Sequence, residues 1–462
     1  MNSTERIDYI FEAGSVTYRN SPQESNFLFG YGSIGKRKVY FVATNDGKNF
    51  SNTFAKFKEF TVFLESILSD PAPLILLLDI LPAHHTAQRS PVPEDPDRLL
   101  ADRYGVGRWY HLQARLSGRV PQVCAVFARM GATLTFPIAL CDAVAMLSDA
   151  GMSIGRSDVV EKMMGEKPPY EKLGGAGMHA EKSGSIDFIG KRDEDILLWA
   201  QRYIEYLPLE SGRPLPSCQA KHVQRNLELE KAVPANANVM LDMDRLIRLL
   251  SDEESFFELR QDFAREIITG FARFDGKVAG VIGNRSAVRG GILFPESCQK
   301  AARFISICDA FGIPLVFLAD APGFMVGSQV ESAGIIKSAA LLFSAISNAA
   351  TARLSVIVRR GYTAGVYAMA GGGMEPDRFI ALPTAIISIY GEVVASRLDP
   401  DNAKERENLK KMLETATNPG AFVEQGLIEA IVPMEDLRRE IIAFLAPNQD
   451  GKRASKRPVL LV

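Results

Sequence analysis

Three stretches of the first half of this chain return, in the same order, in the second half, and that recurrence limits the fold more than any single motif does. Gly32-Ser-Ile-Gly-Lys-Arg-Lys-Val-Tyr-Phe-Val-Ala43 parallels Gly270-Phe-Ala-Arg-Phe-Asp-Gly-Lys-Val-Ala-Gly-Val-Ile282. Leu74-Ile-Leu-Leu-Leu-Asp79-Ile-Leu-Pro82 parallels Pro314-Leu-Val-Phe-Leu-Ala-Asp320-Ala-Pro322. Val120-Pro-Gln-Val-Cys-Ala-Val-Phe-Ala-Arg-Met-Gly-Ala-Thr133 parallels Ala352-Arg-Leu-Ser-Val-Ile-Val-Arg-Arg-Gly-Tyr-Thr-Ala-Gly365. Strands of any α/β protein share composition by chance, but three in matching order favour a duplicated domain. Short apolar runs at 74–78, 123–127, 315–318 and 354–358 suit strands buried on both faces. Their alternation with stretches of helical period predicts an α/β fold. The turn-rich segment Leu207-Pro-Leu-Glu-Ser-Gly-Arg-Pro-Leu-Pro216 has no periodicity and reads as a linker, giving domains over 1–215 and 216–462. The basic tail 451–462 reads as surface peptide.

With 462 residues, 47% of them hydrophobic, the chain can bury two or three domain cores. A net charge of −2 gives no electrostatic reason to expect nucleic acid or an anionic membrane surface as the main partner. Five cysteines without a CxxC pair point to reduced thiols in the cytoplasm. The first ten residues carry no apolar signal region. The longest apolar stretch, from Met130 to Leu147, is broken by Pro137 and Asp142 and reads as a buried strand-turn-helix, so no membrane span is expected.

The chemistry concentrates in the second half. After the run 355–358 come Arg359-Arg-Gly-Tyr-Thr-Ala-Gly365 and then Val366-Tyr-Ala-Met-Ala-Gly-Gly-Gly373. A strand that breaks into small residues and restarts as a helix exposes main-chain N–H groups at the new N-terminus, where the helix dipole suits a developing oxyanion. Thr363, Ala364 and Gly365 are small enough to let a thioester or ureido oxygen approach. A second bend, Arg289-Gly290-Gly291-Ile-Leu293, could supply an opposing donor. Gly312-Ile-Pro-Leu-Val-Phe-Leu-Ala-Asp320-Ala-Pro322-Gly323-Phe324-Met-Val-Gly327 adds a buried strand ending in a Pro/Gly loop, the place where α/β sheets hold ligands. Taken alone, such a bend serves tight helix-sheet packing equally well, and such a loop can be a plain strand end.

From about residue 265 to 435 the chain resembles the acyl-CoA carboxylase carboxyltransferase β-subunit family of propionyl-CoA and methylcrotonyl-CoA carboxylases. The matching pieces are Lys300-Ala-Ala-Arg-Phe304, Cys308-Asp-Ala-Phe-Gly-Ile-Pro-Leu-Val316, Asp320-Ala-Pro-Gly-Phe324, Gly334-Ile-Ile336, Tyr362-Thr-Ala-Gly365, Leu382-Pro-Thr-Ala385, Asn418-Pro419 and Gly426-Leu-Ile-Glu-Ala-Ile-Val432. In the first half Leu173-Gly-Gly-Ala-Gly-Met-His179 with Gly184, and Tyr206-Leu-Pro-Leu209, match more sparsely. The resemblance implies two tandem crotonase-superfamily domains (β-β-α superhelix), an acyl-CoA side in the first and a biotin side in the second. It implies that carboxybiotin on a separate biotin carboxyl carrier protein is the carboxyl donor, with a biotin carboxylase subunit also supplied in trans. The ureido oxygen would accept hydrogen bonds from main chain at Ala364 and Gly365, with Thr363 alongside. Tyr362, Gly290, Gly291, Pro322, Gly323, Phe324 and Gly334 would line the biotin side. A CoA-thioester enolate would be held at Gly131, Ala132 and Thr133, then carboxylated at its α- or γ-carbon. No metal is implied. The family's site lies between the first domain of one subunit and the second of another, in a homo-oligomer expected as a hexamer, a trimer of dimers.

The first half departs from that family. Asp79-Ile-Leu-Pro-Ala-His-His-Thr-Ala-Gln-Arg89 stands where the family has a Gly-rich loop, Gly131-Ala-Thr-Leu134 where it has an Ala-Gly-Gly-Ala turn, and Phe50-Ser-Asn-Thr53 where it has a Gly-Gly pair. Losing glycines restricts positive φ and close approach. Milder changes are Tyr390-Gly-Glu-Val-Val394 and Ser338. The departures keep three other readings open: a biotin-dependent decarboxylase, a biotin-independent crotonase-type enzyme, and a non-catalytic scaffold paired with an intact paralogue. His84 and His85 point in opposite directions on an extended segment and lack ligand spacing, so a metal is not expected. Glu392 reads as a buried acid or a solvated one, and Asp46-Gly-Lys48 as a hairpin turn.

Overall fold

The computed structural model describes residues 1–21, 27–45, 54–79, 96–155, 157–221, 226–236, 239–389 and 403–461. His84 and His85, the rest of the 80–89 loop, the 46–48 and 50–53 turns, and 390–394 with Glu392 lie outside the described residues. The chain divides into two compact units, Met1–Arg213 with Lys456–Leu461, and Pro214–Ser455.

The first unit is built on β1 (Thr17–Tyr18), β2 (Phe27–Ile34), β3 (Arg37–Thr44), β4 (Leu74–Leu78), β5 (Gln122–Val126), β6 (Arg129–Met130), β7 (Ala143–Leu147), β8 (Gly151–Met152) and β9 (Phe188–Gly190). Its main sheet runs β1-β2-β3-β4-β5-β7-β9, and β6 pairs separately with β8. The second unit is built on β10 (Phe257–Glu258), β11 (Ile267–Phe274), β12 (Lys277–Asn284), β13 (Leu315–Ala321), β14 (Arg353–Tyr362), β15 (Arg378–Ala381), β16 (Ile386–Ser388) and β17 (Ala430–Ile431). Its order is β10-β11-β12-β13-β14-β15-β17, with β16 on β14.

The two sheets share one plan. Each opens with an antiparallel hairpin, β2–β3 or β11–β12, and continues in parallel. The hairpins turn through two residues of positive φ, Gly35 and Lys36 in one, Asp275 and Gly276 in the other, whose twist matches that of the flanking strands. Each hairpin is flanked by a two-residue antiparallel strand, with Tyr18 opposite Gly30 and Glu258 opposite Gly270. A Cβ would stand 2.1 Å from Thr17 O at Gly30 and 2.5 Å from Phe257 O at Gly270, so both positions exclude a side chain. The counterpart of Gly270 is therefore Gly30, not the Gly32 of the sequence alignment. Gly32 faces the Phe11 ring instead, 2.6 Å from where its Cβ would be. Asp79 and Asp320 do coincide, because Tyr40 pairs with Leu74 as Gly280 pairs with Leu315.

The apolar runs become central strands because both faces are covered: every residue of β4, β5 and β13 is buried. Each fully buried Leu or Val there contributes about 1.5–3 kcal/mol relative to exposure. Helix Pro295–Phe311 shows how local signals set an element's ends. Pro295 begins it, where a missing N–H costs nothing. Gly312, at φ 69°, closes it in the left-handed conformation and hands the chain to β13.

Two expectations change. The 130–147 stretch is a short strand, the helix Ala132–Ala139 containing Pro137, and then strand β7, rather than strand-turn-helix. Asp142 is tolerated inside because its carboxylate accepts the Gln122 N–H at 2.8 Å. The tail is not all surface peptide: Val459 is buried, its N–H donates to Ser117 Oγ at 3.0 Å, and 456–461 belongs to the first unit. Among the described residues no helix is long and apolar enough to cross a membrane.

Candidate functional site

In the second unit, β13 and β14 run parallel and end side by side, so the bends that follow them meet. Tyr362 is the last residue of β14, and Thr363 N–H donates to Ser388 O at 3.0 Å. Thr363 takes φ 50°, a left-handed conformation that a β-branched residue adopts only under strain. Gly365 then starts the helix Gly365–Ala368. Among the described residues no acceptor takes the N–H of Ala364 or of Gly365. A Cβ at Gly365 would lie 3.1 Å from Ala321 Cβ, from Ala321 O and from Gly323 N, so only glycine lets the bends pass this closely. Gly323, at φ 115°, is held to the same rule by Thr363 Oγ1 at 2.9 Å.

The remaining candidates gather around this point. Gly323 O accepts from Leu293 N at 3.0 Å, and Leu293 O accepts from Met325 N at 2.9 Å, which joins the 289–293 bend to the Pro322-Gly323-Phe324 loop. Phe324 packs edge-on against Phe343, at 5.9 Å between centroids, on the helix Ile335–Asn348 that Gly334 caps at φ 83°. Arg289, Gly290 and Gly291 all have positive φ. Within the 289–293 bend, Gly291 N–H already donates to Val288 O at 2.9 Å and Ile292 N–H to Arg289 O at 3.2 Å.

Beneath these bends lies a charged layer that motif reading passed over. The Asp320 side chain has no exposed surface and takes hydrogen bonds from Arg359 Nη2 at 2.9 Å, Arg360 Nε at 2.7 Å, Arg360 Nη2 at 2.9 Å and the Arg360 main-chain N–H at 3.1 Å. Ser286 Oγ also donates to it. Burial alone would push the Asp320 carboxyl up, but hydrogen bonds from Arg360 and Arg359 outweigh it and hold the pKa down at about 2. Asn284, fully buried, accepts the Asp320 N–H at 3.2 Å, while its Nδ2 has no partner among the described residues. The signal in the sequence was Asp320 with two consecutive arginines, charges inside otherwise apolar strands.

The first unit has its own bend. Gly131 caps the helix Ala132–Ala139 and its carbonyl accepts from Leu134 N at 3.0 Å. The N–H groups of Ala132 and Thr133 meet no acceptor among the described residues, as expected for a first helical turn. Space for a Cβ at Gly131 is open to 4 Å, and Thr133 O accepts from Tyr110 OH at 3.0 Å. This bend is looser than the 362–365 bend. Nearby, His179 was quoted only as part of a motif. Its Nε2 lies 2.8 Å from Met152 O and its Nδ1 2.9 Å from Ser183 Oγ, at the head of a π-helical turn, His179–Ser183. Asp79, the counterpart of Asp320, pairs with Arg6 at 2.6 Å, whose guanidinium stacks 3.7 Å over Phe127.

Each unit therefore offers main-chain donors at a strand-to-helix bend. Among the described residues no three His, Cys, Asp or Glu side chains are grouped as a metal would need.

Comparison with known proteins shows the family and the fold. Residues 28–459 match the carboxyl transferase domain. The chain is 37% identical over 424 residues to the uncharacterised carboxylase YngE of Bacillus subtilis, covering 89% of this chain and 81% of that one. It is 29% identical over 474 residues to the propionyl-CoA carboxylase beta chain of Roseobacter denitrificans, covering 96% and 90%. Its fold superposes with TM-score 0.88 and 25% identity on transcarboxylase 12S, described as a hexamer with methylmalonyl-CoA and methylmalonic acid bound, over 97% of this chain and 90% of that one. Both units have the crotonase-type α/β fold.

Proposed function

The chain belongs to the carboxyl transferase domain family, and from that premise we propose that it is the carboxyltransferase subunit of a biotin-dependent acyl-CoA carboxylase. It carboxylates the α- or γ-carbon of an acyl-CoA. The observation that carries this reading is the pair of N–H groups at Ala364 and Gly365, without an acceptor among the described residues, at a bend strained at Thr363.

These residues fit a ureido group. Two adjacent donors can share one oxygen, and the missing side chain at Gly365 keeps the approach open. When bound, carboxybiotin on its carrier would supply the carboxyl group as CO2, and the ureido anion left behind would be the base for the substrate's α-proton. Ala364 and Gly365 hold its ureido oxygen, with Tyr362, Gly290, Gly291, Pro322, Gly323, Phe324 and Gly334 forming the surrounding wall. Ala132 and Thr133, led by Gly131, hold the thioester oxygen as it gains enolate charge. No side chain acts as nucleophile, so orientation and fixed dipoles supply the rate. A biotin carboxyl carrier protein and a biotin carboxylase subunit act in trans. The working site is completed between the first unit of one subunit and the second unit of another, in a cytoplasmic homo-hexamer.

The test is to mix the protein with biotin carrier carrying labelled carboxyl groups and with acetyl-, propionyl- or methylcrotonyl-CoA. Label in an acyl-CoA product is expected. Label in none of them, with the hexamer intact, contradicts the proposal.

A further inference from the structure

We infer that Arg360 is a positioning residue for the carboxyl-transfer reaction: it clamps the 289–291 turn to the ends of β13 and β14, so that three bends hold one geometry. The inference rests on the function proposed above. It adds a residue that acts through the bends, by way of its contacts to Gly290, Ser286 and Asp320.

The clamp is visible as a single fork on β14 with contacts on two other segments. Arg360 Nη2 donates to Gly290 O at 3.0 Å and to Ser286 Oγ at 3.1 Å, both on the segment after β12. The same nitrogen reaches Asp320 Oδ2 at 2.9 Å, while Nε takes Asp320 Oδ1 at 2.7 Å, both on β13. Arg360 itself stands on β14, two residues before Tyr362. Gly290 sits at φ 68° between two other left-handed residues, and the three-residue turn has few internal bonds to fix it. Its carbonyl is tied down by this guanidinium.

Arg359 shows why Arg360 is the one that positions the bends. Arg359 also grips Asp320, but its other donors go to the Asn236 and Val239 carbonyls, away from the 289–291 turn. Among the described residues Asp320 is the only carboxylate in ion-pair reach of either arginine. Asp320 balances one of the two positive charges, and of the two arginines Arg360 is the one that also reaches the 289–291 turn. Its planar fork is what a lysine cannot reproduce: an ammonium could keep that charge but not span Asp320 and Gly290 together.

The test compares wild type, Arg360→Lys and Ser286→Ala in the decarboxylation of methylmalonyl-CoA driven by free biotin. Arg360→Lys keeps the charge and loses the fork. It is expected to lower kcat by about 10- to 100-fold, the scale of a misplaced reacting group, while the KM for methylmalonyl-CoA and the thermal midpoint stay close to wild type. Ser286→Ala removes one arm and is expected to lower kcat by a smaller factor in the same pattern. If Arg360→Lys yields no folded protein, Ser286→Ala decides alone. Wild-type kcat in the decisive variant overturns the inference, as does a loss that tracks a falling thermal midpoint or a rising acyl-CoA KM, because that is a general structural role. If wild type does not turn over methylmalonyl-CoA, the same variants are compared in labelled carboxyl transfer to whichever acyl-CoA it does accept; a wild type that accepts none removes the carboxyltransferase reading itself, and the inference with it.

Discussion

The carboxylate of Asp320 lies between two arginines that follow one another in sequence, 2.9 Å from Arg359 Nη2 and 2.7 Å from Arg360 Nε, with no surface open to water. Removing the anion leaves two guanidinium groups facing each other in the interior. Asp320→Asn should therefore cost about 3–5 kcal/mol, the scale of breaking a buried pair from one side. Denaturant unfolding followed by fluorescence measures it. A loss under about 1 kcal/mol would mean that water reaches the pair.

The same group makes acid sensitivity predictable. Its folded pKa is held at about 2, below the ordinary carboxylate value of 3.8, so the folded state binds the proton less readily than the unfolded chain. The stabilisation is then complete above about pH 4 and is lost as the pH falls toward 2. The stability gap between wild type and Asp320→Asn should be flat from pH 5 to 8 and should narrow below pH 4. A gap that narrows near neutrality would contradict this assignment.

Lys300 destabilises where Asp320 stabilises, because its charged form is the one that burial disfavours. It is buried, donates to Phe263 O at 2.9 Å, and burial, only partly offset by Glu258, lowers its pKa from 10.5 to about 7. Between those values the unfolded chain holds a proton that the folded chain has released, so folding grows more favourable as the pH rises from about 7 to about 10. Lys300→Met, which removes the charge while keeping the bulk, should stabilise the protein at pH 6. That gain should shrink steadily by pH 9. Thermal midpoints across the range check it, and a gain that does not change with pH contradicts it.

Gly30 and Gly270 test the duplication. A methyl at either would stand 2.1 or 2.5 Å from a carbonyl oxygen of the flanking strand, which is main chain and cannot swing aside. Gly30→Ala and Gly270→Ala should each cost about 1–3 kcal/mol, the range for overpacking. Gly14→Ala serves only as a partial control: no atom lies within 4 Å of its Cβ, so any loss there reflects its φ of 73°. Gly30 and Gly270 have no such φ, so a loss under about 0.5 kcal/mol at both would show that the neighbouring strand yields to the methyl and would contradict the prediction.

Much of the architecture was legible before any coordinates. The apolar runs at 74–78 and 315–318 became central strands, and the order of recurring pieces matched two sheets of one plan. The register of the repeat was less legible. Gly30 and Gly32 lie two residues apart on the same face of β2, and only the coordinates show that Gly30 meets β1 while Gly32 meets the Phe11 ring. At the bends, small residues announced the close approach of 323 and 365, but not that the Gly291 N–H is consumed by Val288 O. The Arg360 fork was invisible because it depends on which way a side chain turns among three segments distant in sequence. Residue 459 gave no sign of burial, since a basic tail of mixed composition carries no period.

On the proposed function, main-chain N–H groups at the 362–365 bend, and no side chain there, hold the charge that forms during turnover. The most direct measurement is the rate of labelled carboxyl transfer from carboxylated carrier to propionyl-CoA by wild type, Gly365→Ala and Thr363→Ala. Gly365→Ala, whose new methyl would press on Ala321 and Gly323 at 3.1 Å and shift the donors, should lose about 100-fold or more. Thr363→Ala, which keeps every N–H group, should stay within a few-fold of wild type. A Gly365→Ala enzyme as fast as wild type, or a Thr363→Ala enzyme that is dead though folded, would contradict the claim.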